Sequence, residues 1–218
     1  VMFWFSQYVY MPYQTPYLIS IGVTTSFVGV VVGAYGLSQM LLRMPVGIMA
    51  DLRGRHKLFI IIGVSSSGLA SLFRIFIPNG TGFLLGSLFS GLASAMWISF
   101  MVLYSNYFKK DEMQKSMGTI IAANNMGILI GFVLGSLFYD KFGMNFLCVL
   151  SLVTALPSTI LAFFIKDPPA DFEPLPVRQL ITVYKDKRVI GFSLLALIQQ
   201  GILMSTAMSF TNQVAEKL

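Results

Sequence analysis

Gly47-Ile48-Met49-Ala50-Asp51-Leu52-Arg53-Gly54-Arg55-His56-Lys57 is a short basic interruption between two long apolar runs. Its residues describe a tight reversal. Gly54 has access to the positive φ that such a turn often demands, and Gly47 permits close packing at the end of the preceding run. Asp51 is an acid among bases, suited to pair with an arginine or to sit at the start of a neighbouring helix. Contacts of that kind contribute about 0.3 to 2 kcal/mol, enough to bias two conformations separated by a few kcal/mol. Taken alone, Asp-x-x-Gly reads equally well as a plain glycine turn, so its meaning depends on what flanks it.

The flanks are built for lipid. Apolar residues make up 56% of the 218 residues and charged residues 11%, against roughly 25% charged in a soluble globular chain. Mean hydropathy is +0.75. A membrane helix needs about 20 mostly apolar residues to cross roughly 30 Å of hydrocarbon. Seven segments qualify, at about Phe3–Gly22, Ser26–Ala50, Leu58–Ile77, Phe83–Tyr107, Ile120–Tyr139, Phe146–Ile165 and Val189–Phe210. The first run is apolar from its outset with no basic stretch before it, so a membrane span is expected there and not a signal peptide. Pro12 and Pro16 are expected to kink the first span and Pro157 the sixth. Small residues recur at helical spacing: Gly29, Gly33 and Gly36; Gly82, Gly86, Ser90 and Ser94; Gly127, Gly131 and Gly135. They predict close backbone approach in a tightly packed bundle.

The net charge of +6 is unevenly placed. Twelve of the fifteen Lys and Arg residues fall in or beside the connections after the second, fourth and sixth runs, while Arg74, Lys141 and Lys217 fall at the opposite ends. The positive-inside rule then puts the basic connections in the cytoplasm and starts the first helix there. A nucleic-acid binder would interleave its bases with polar surface, so no nucleic-acid partner is expected. Residues 166–188 hold Pro168, Pro169, Pro174 and Pro176 and read as a cytoplasmic linker. Within it, Val177, Leu180, Ile181 and Tyr184 form one apolar helical face, either lying on the inner membrane surface or belonging to an ordinary linker helix. The expected organisation is a six-helix bundle over 1–165, the linker over 166–188, and a seventh membrane helix over 189–218. The lone Cys148 forms no internal disulfide and reads as a small buried hydrophobe.

With the span count and sidedness in place, the 47–57 stretch resembles the Gly-x-Leu-Ala-Asp-Arg-x-Gly-Arg-Arg/Lys motif of the major facilitator superfamily. Gly47, Ala50, Asp51, Gly54, Arg55 and His56/Lys57 fall on its places. Leu52 departs from the usual basic residue, with Arg53 beside it. The resemblance implies an all-α integral membrane fold, a bundle of six transmembrane helices in 3+3 inverted repeats plus linker and seventh helix. It also implies that Gly47, Asp51, Arg53, Gly54, Arg55 and Lys57 form a loop steadying one conformation during alternating access, with Asp51 and Arg55 as its switch residues. The repeat has a faint echo in sequence, since Asp140-Lys141-Phe142-Gly143 matches Asp51-Leu52-Arg53-Gly54. Likeness to the antiporter branch is partial. Gly118, Gly127, Gly131 and Gly135 keep the helix-packing ladder of its fifth helix, but Phe132 replaces the proline and Ser87 replaces the arginine of its fourth.

Carriers of this family line a central cavity with helices 1, 4, 7 and 10. The corresponding polar stripes here are Gln7, Tyr10 and Gln14; Trp97, with Met101 and Tyr104; and Gln199, Gln200 and Thr206. Tyr35 and Gln39 add a stripe on the second helix, with Arg43 snorkelling to the surface. Each could equally serve interhelical hydrogen bonding. No carboxylate lies deep within a span, so either a coupling acid for H+ lies in a second half or transport uses another driving force. A neutral or amphipathic small-molecule solute suits such a cavity better than a strong cation. No catalytic group, metal site or cofactor is expected: an enzyme would need paired acids or a His/Cys/Asp group, and His56 sits in a basic turn. The expectation is a transporter in the lipid bilayer of a plasma membrane, of bacterial inner-membrane type, exporting amphipathic compounds. Uptake of a small metabolite, and a non-transporting receptor or scaffold with the same fold, stay open. Seven spans leave a C-terminal six-helix half to be supplied, so a fragment, inactive alone, is also expected.

Overall fold

The computed structural model describes residues 1–166, together with Lys187, Ile190, Gly191, Leu194, Leu195, Ile198, Gln199 and Ile202. The chain divides into two compact units, Val1–Ala170 and Asp171–Leu218. Described positions of the second unit are helical and exposed. The linker expected over 166–188 lies almost entirely outside the described residues.

The first unit is helical throughout, with no strand among the described residues. Its helices are α1 (Met2–Tyr8), α2 (Met11–Ser20), α3 (Thr25–Arg53), α4 (His56–Phe76), α5 (Gly80–Ala95), α6 (Trp97–Ser105) and α7 (Met113–Phe164), with a 3-10 turn at Lys110–Glu112. Four stretches are long and apolar enough to cross a membrane: Thr25–Arg53, His56–Phe76, Gly80–Ser105 and Met113–Phe164.

The last of these has 52 residues, which as a straight helix would reach about 78 Å, more than twice the hydrocarbon thickness. It reverses at Gly143, whose φ of 72° and ψ of −177° interrupt the helix in a region essentially restricted to glycine. Its two limbs, 113–142 and 144–164, supply the fifth and sixth expected spans. The first expected span is not one kinked helix but two, α1 and α2, separated at Val9–Tyr10. Pro12 lacks the N–H that would bond the Tyr8 carbonyl, so the ladder cannot run through. The fourth span also divides, into α5 and α6 at Met96.

Burial runs inside out relative to a soluble protein. Leu37, Met40 and Leu41 on α3, and Leu129, Val133, Leu137, Leu156 and Ile160 on α7, are exposed. In water they would form an aggregation surface; against acyl chains they are the solvent-facing side. The interior combines large apolar side chains such as Leu18, Val31, Phe83 and Leu147 with small residues and hydroxyls. Three glycines of α7 lie on the backbone of the first span. A Cβ at Gly127 would stand 2.4 Å from the Val1 carbonyl oxygen, one at Gly135 2.4 Å from that of Val9, and one at Gly131 3.2 Å from the Val9 nitrogen. Gly118 and the α3 glycines Gly29, Gly33 and Gly36 have nothing within 4 Å. The α3 set differs from the close-packing expectation because α3 turns Val28, Val31, Tyr35 and Ser38 inward, leaving the glycines on the opposite side.

Candidate functional site

Ser90 on α5 is where the polar groups of the bundle meet. Gln7 Nε2 donates to the Ser90 carbonyl at 3.2 Å, and the Tyr10 hydroxyl lies 3.1 Å from Ser90 Oγ. Arg74 Nη2 also donates to Ser90 Oγ, at 3.1 Å. The Arg74 guanidinium carbon is 4.3 Å from the Tyr10 ring centroid and 5.9 Å from that of Phe83. One turn along α5, Ser94 Oγ meets the Tyr35 hydroxyl at 2.8 Å.

Arg74 stands in the last turn of α4, the end at which the sequence reading placed it with Lys141 and Lys217, but its side chain turns inward. It is 2% exposed. On α4 it follows Ser67 and Ser71 at i+7 and i+3, on the stripe turned toward the interior. Ser67 Oγ lies 2.8 Å from Ser6 Oγ and Ser71 Oγ 2.7 Å from Ser151 Oγ, and Ser151 in turn donates to the Ser6 carbonyl. Room for the guanidinium comes from Gly86, where a Cβ would stand 2.8 Å from Arg74 Cζ. The cation absent at Ser87 thus arrives beside it from another helix. Arg74 Nε and Nη1 are buried without a hydrogen-bond partner. The described acids Asp51, Asp111, Glu112 and Asp140 are not buried and belong to helix ends and connections. The sequence signal was an arginine flanked by Leu72, Phe73, Ile75 and Phe76, inside an apolar run and not in a connection.

An aromatic group joins α1 to α6. Trp4 and Trp97 meet edge to face at 5.1 Å, Phe3 and Phe100 stack at 5.0 Å, and Tyr8 reaches Phe132 of α7 at 6.0 Å. Trp97 is half-buried, as is Gln39. Gln7, Tyr10, Gln14 and Tyr35 are buried. The structure therefore brings Gln7 and Tyr10 together, sets Tyr35 on the neighbouring serine, and carries Gln14 beyond the break on α2. Gln199 is helical and exposed; Gln200 and Thr206 lie outside the described residues. Among the described residues no three His, Cys, Asp or Glu come together as metal ligands.

In the 47–57 loop, Gly54 ends α3 with φ 59° and ψ 21°, the left-handed conformation. Ala50 is fully buried against Val46, Phe59 and Met96, while Gly47 makes ordinary contact with Ile98. Arg53 and Arg55 are exposed and Lys57 half-buried. The partner found for Asp51 is His56 at the start of α4, Oδ1 to Nε2 at 3.8 Å. Asp51 thus meets the start of a neighbouring helix, one of the two roles its sequence context allowed, while Arg55 sits in the two-residue connection and is exposed.

Long apolar helices, lipid-like outer faces and hydroxyl-rich interior seams define a multi-pass α-helical membrane protein. Residues 1–216 match the Major Facilitator Superfamily, and the chain belongs to that family. It is 28% identical over 135 residues to an uncharacterized MFS-type transporter of Methanocaldococcus jannaschii, covering 62% of this chain and 35% of the relative. It is 26% identical over 139 residues to the inner membrane transport protein YajR of Escherichia coli, covering 63% and 30%. With a multi-drug resistance efflux pump PmrA homolog of Lactococcus lactis it shares 29% identity over 193 residues, covering 83% and 46%. The matched region thus spans less than half the length of each of these relatives.

Proposed function

We propose that the intact protein carries a small solute across a membrane by alternating access. Residues 1–165 supply one six-helix half, 166–188 the cytoplasmic linker, and 189–218 the first helix of a second half. The observation that carries this reading is the meeting of Gln7 and Tyr10 with Ser90 beside interruptions in both the first and fourth spans. Both interruptions keep right-handed backbone, at Val9, Tyr10 and Met96, and act as kinks in the two helices that carry these residues. The half-buried Trp97 and Phe100 surfaces supply stacking for an apolar body, and the Gln7 amide and Tyr10 hydroxyl supply orientation. The solute is then an amphipathic compound, and the direction is outward. The glycine ladder against α1 and the printed function of the Lactococcus relative both favour export. The basic connections face the cytoplasm of a plasma membrane, and Asp51 with His56 and the neighbouring Arg55 steadies one state of the cycle. The coupling ion is H+, with its acid on the second half.

The test is flux of a compound panel into inverted vesicles containing the intact gene product, with and without a pH gradient. Gradient-dependent accumulation of amphipathic compounds is expected. Accumulation that ignores the gradient removes the coupling claim, and no flux of any compound removes the transport claim.

A further inference from the structure

We propose that Arg74 is a recognition group for anionic solutes: its guanidinium, buried beside Tyr10 and Ser90, makes the wall formed by the first and fourth spans select amphipathic molecules that bear an acidic group. The inference rests on the transport reading above and names the substrate class for it.

The charge has no anionic partner among the described residues. An arginine keeps its proton in proteins, and it cannot shed charge on burial as a lysine does. Here two of its three nitrogens have no hydrogen-bond partner. The third holds a neutral serine, and the rings of Tyr10 and Phe83 give partial compensation through their π faces. An unpaired cation away from water is unfavourable until an anion approaches it. In a low-dielectric bundle its field also reaches further than at a surface, so the adjoining wall attracts acids and repels cations.

Tyr10 and Phe83 both cover this cation, and Tyr10 does so from the interruption in the first span. Tyr10 lies at the α1–α2 break, with φ −104° and ψ −14°, and is tied by its hydroxyl to Ser90. Pro12 removes the backbone donor one turn below the break. Val9 and Tyr10 are themselves buried, so a solute reaches the guanidinium only when the first span moves at this kink. The neutral donor of Gln7 lies on the same serine, and half-buried Trp97, packed on Trp4, offers the solute's apolar body a stacking surface on the fourth span. This arrangement matches an aromatic body carrying a carboxylate, sulfonate or phosphate.

The intact gene product is tested with two dyes sharing a xanthene body, carboxyfluorescein as the anion and rhodamine 6G as the cation. Binding is read from the shift in unfolding midpoint of purified protein, and transport from vesicle flux. Carboxyfluorescein is expected to raise the midpoint and rhodamine 6G to raise it less. R74Q should weaken carboxyfluorescein binding roughly tenfold, the factor that 1.4 kcal/mol represents, and R74K should largely restore it. If R74Q does not fold, the wild-type comparison still decides. An absent anion-selective shift, or an anion-to-cation ratio unchanged in R74Q, overturns the assignment of Arg74. Anion-selective binding without flux of any compound supports that assignment and removes the transport reading instead.

Discussion

Asp51 and His56 face each other across the reversal at Gly54, with 3.8 Å between Oδ1 and Nε2. The first belongs to the last turn of α3 and the second opens α4, so the contact ties two helices at their shared corner. It becomes an ion pair when the imidazole is protonated. Asp51 is partly exposed, which keeps such a contact within about 1 kcal/mol. The stiffer element of the corner is Gly54 at φ 59°.

Gly54→Ala forces a Cβ into left-handed backbone, a cost of about 1–2 kcal/mol. Its unfolding midpoint in detergent should therefore fall measurably. His56→Gln keeps a hydrogen-bonding group opposite Asp51 and should lower the midpoint less. A silent Gly54→Ala would mean that the corner relaxes out of the left-handed turn.

The glycines of α7 divide into two kinds that look alike in sequence. Gly135→Ala drives a methyl to 2.4 Å from the Val9 carbonyl oxygen, and overpacking of this sort costs about 1–3 kcal/mol. Gly118→Ala meets nothing within 4 Å and should be neutral or stabilising by up to about 1 kcal/mol through helix propensity. Measured midpoints should fall in the first variant and hold or rise in the second. Equal effects would separate α1 from the 113–142 limb.

Much of this was legible in the chain. The 3.6-residue period of apolar runs, the clustering of bases and the Asp51–Gly54 turn identify a polytopic bundle, and Gly143 repeats the positive φ of Gly54 where the sequence echoes it. What could not be read is which side of a helix faces in. Gly29, Gly33 and Gly36 have the same composition as Gly127, Gly131 and Gly135, yet open space lies beside one set and backbone beside the other. Lipid and protein interior are both apolar, so hydropathy does not distinguish them. Arg74 was hidden for a related reason. An arginine near a span end normally snorkels, and only the vacancy at Gly86 together with the Ser67–Ser71 stripe turns it inward.

Sidedness follows from charge and is open to chemical labelling. Cys148 is 1% exposed, so it should contribute little background to an impermeant maleimide. Thr81→Cys, on the exposed start of α5, should react on intact cells. Leu52→Cys, on the exposed α3–α4 corner, should react only after permeabilisation. The reverse pattern would invert the topology that the twelve clustered Lys and Arg residues imply.

Ser90 gives the most local test of the polar centre, because its two oxygens have separate duties. Its carbonyl accepts from Gln7 and survives any side-chain change. Its Oγ serves both Tyr10 and Arg74 and is lost in Ser90→Ala. Removing it leaves a tyrosine hydroxyl unsatisfied and strips Arg74 of its hydrogen bond to Ser90, at about 1–3 kcal/mol for buried groups left without partners. Tyr10→Phe keeps the ring beneath the guanidinium and deletes only the hydroxyl. If Tyr10 and Ser90 act through one bond, the double variant should be less destabilised than the sum of the two singles, by about 0.5–1.5 kcal/mol. Strict additivity in a double-mutant cycle would show that the hydroxyl contributes nothing through Ser90. Tyr10 would then cover Arg74 by its ring alone, and its hydroxyl would do nothing to hold the kink at the α1–α2 break.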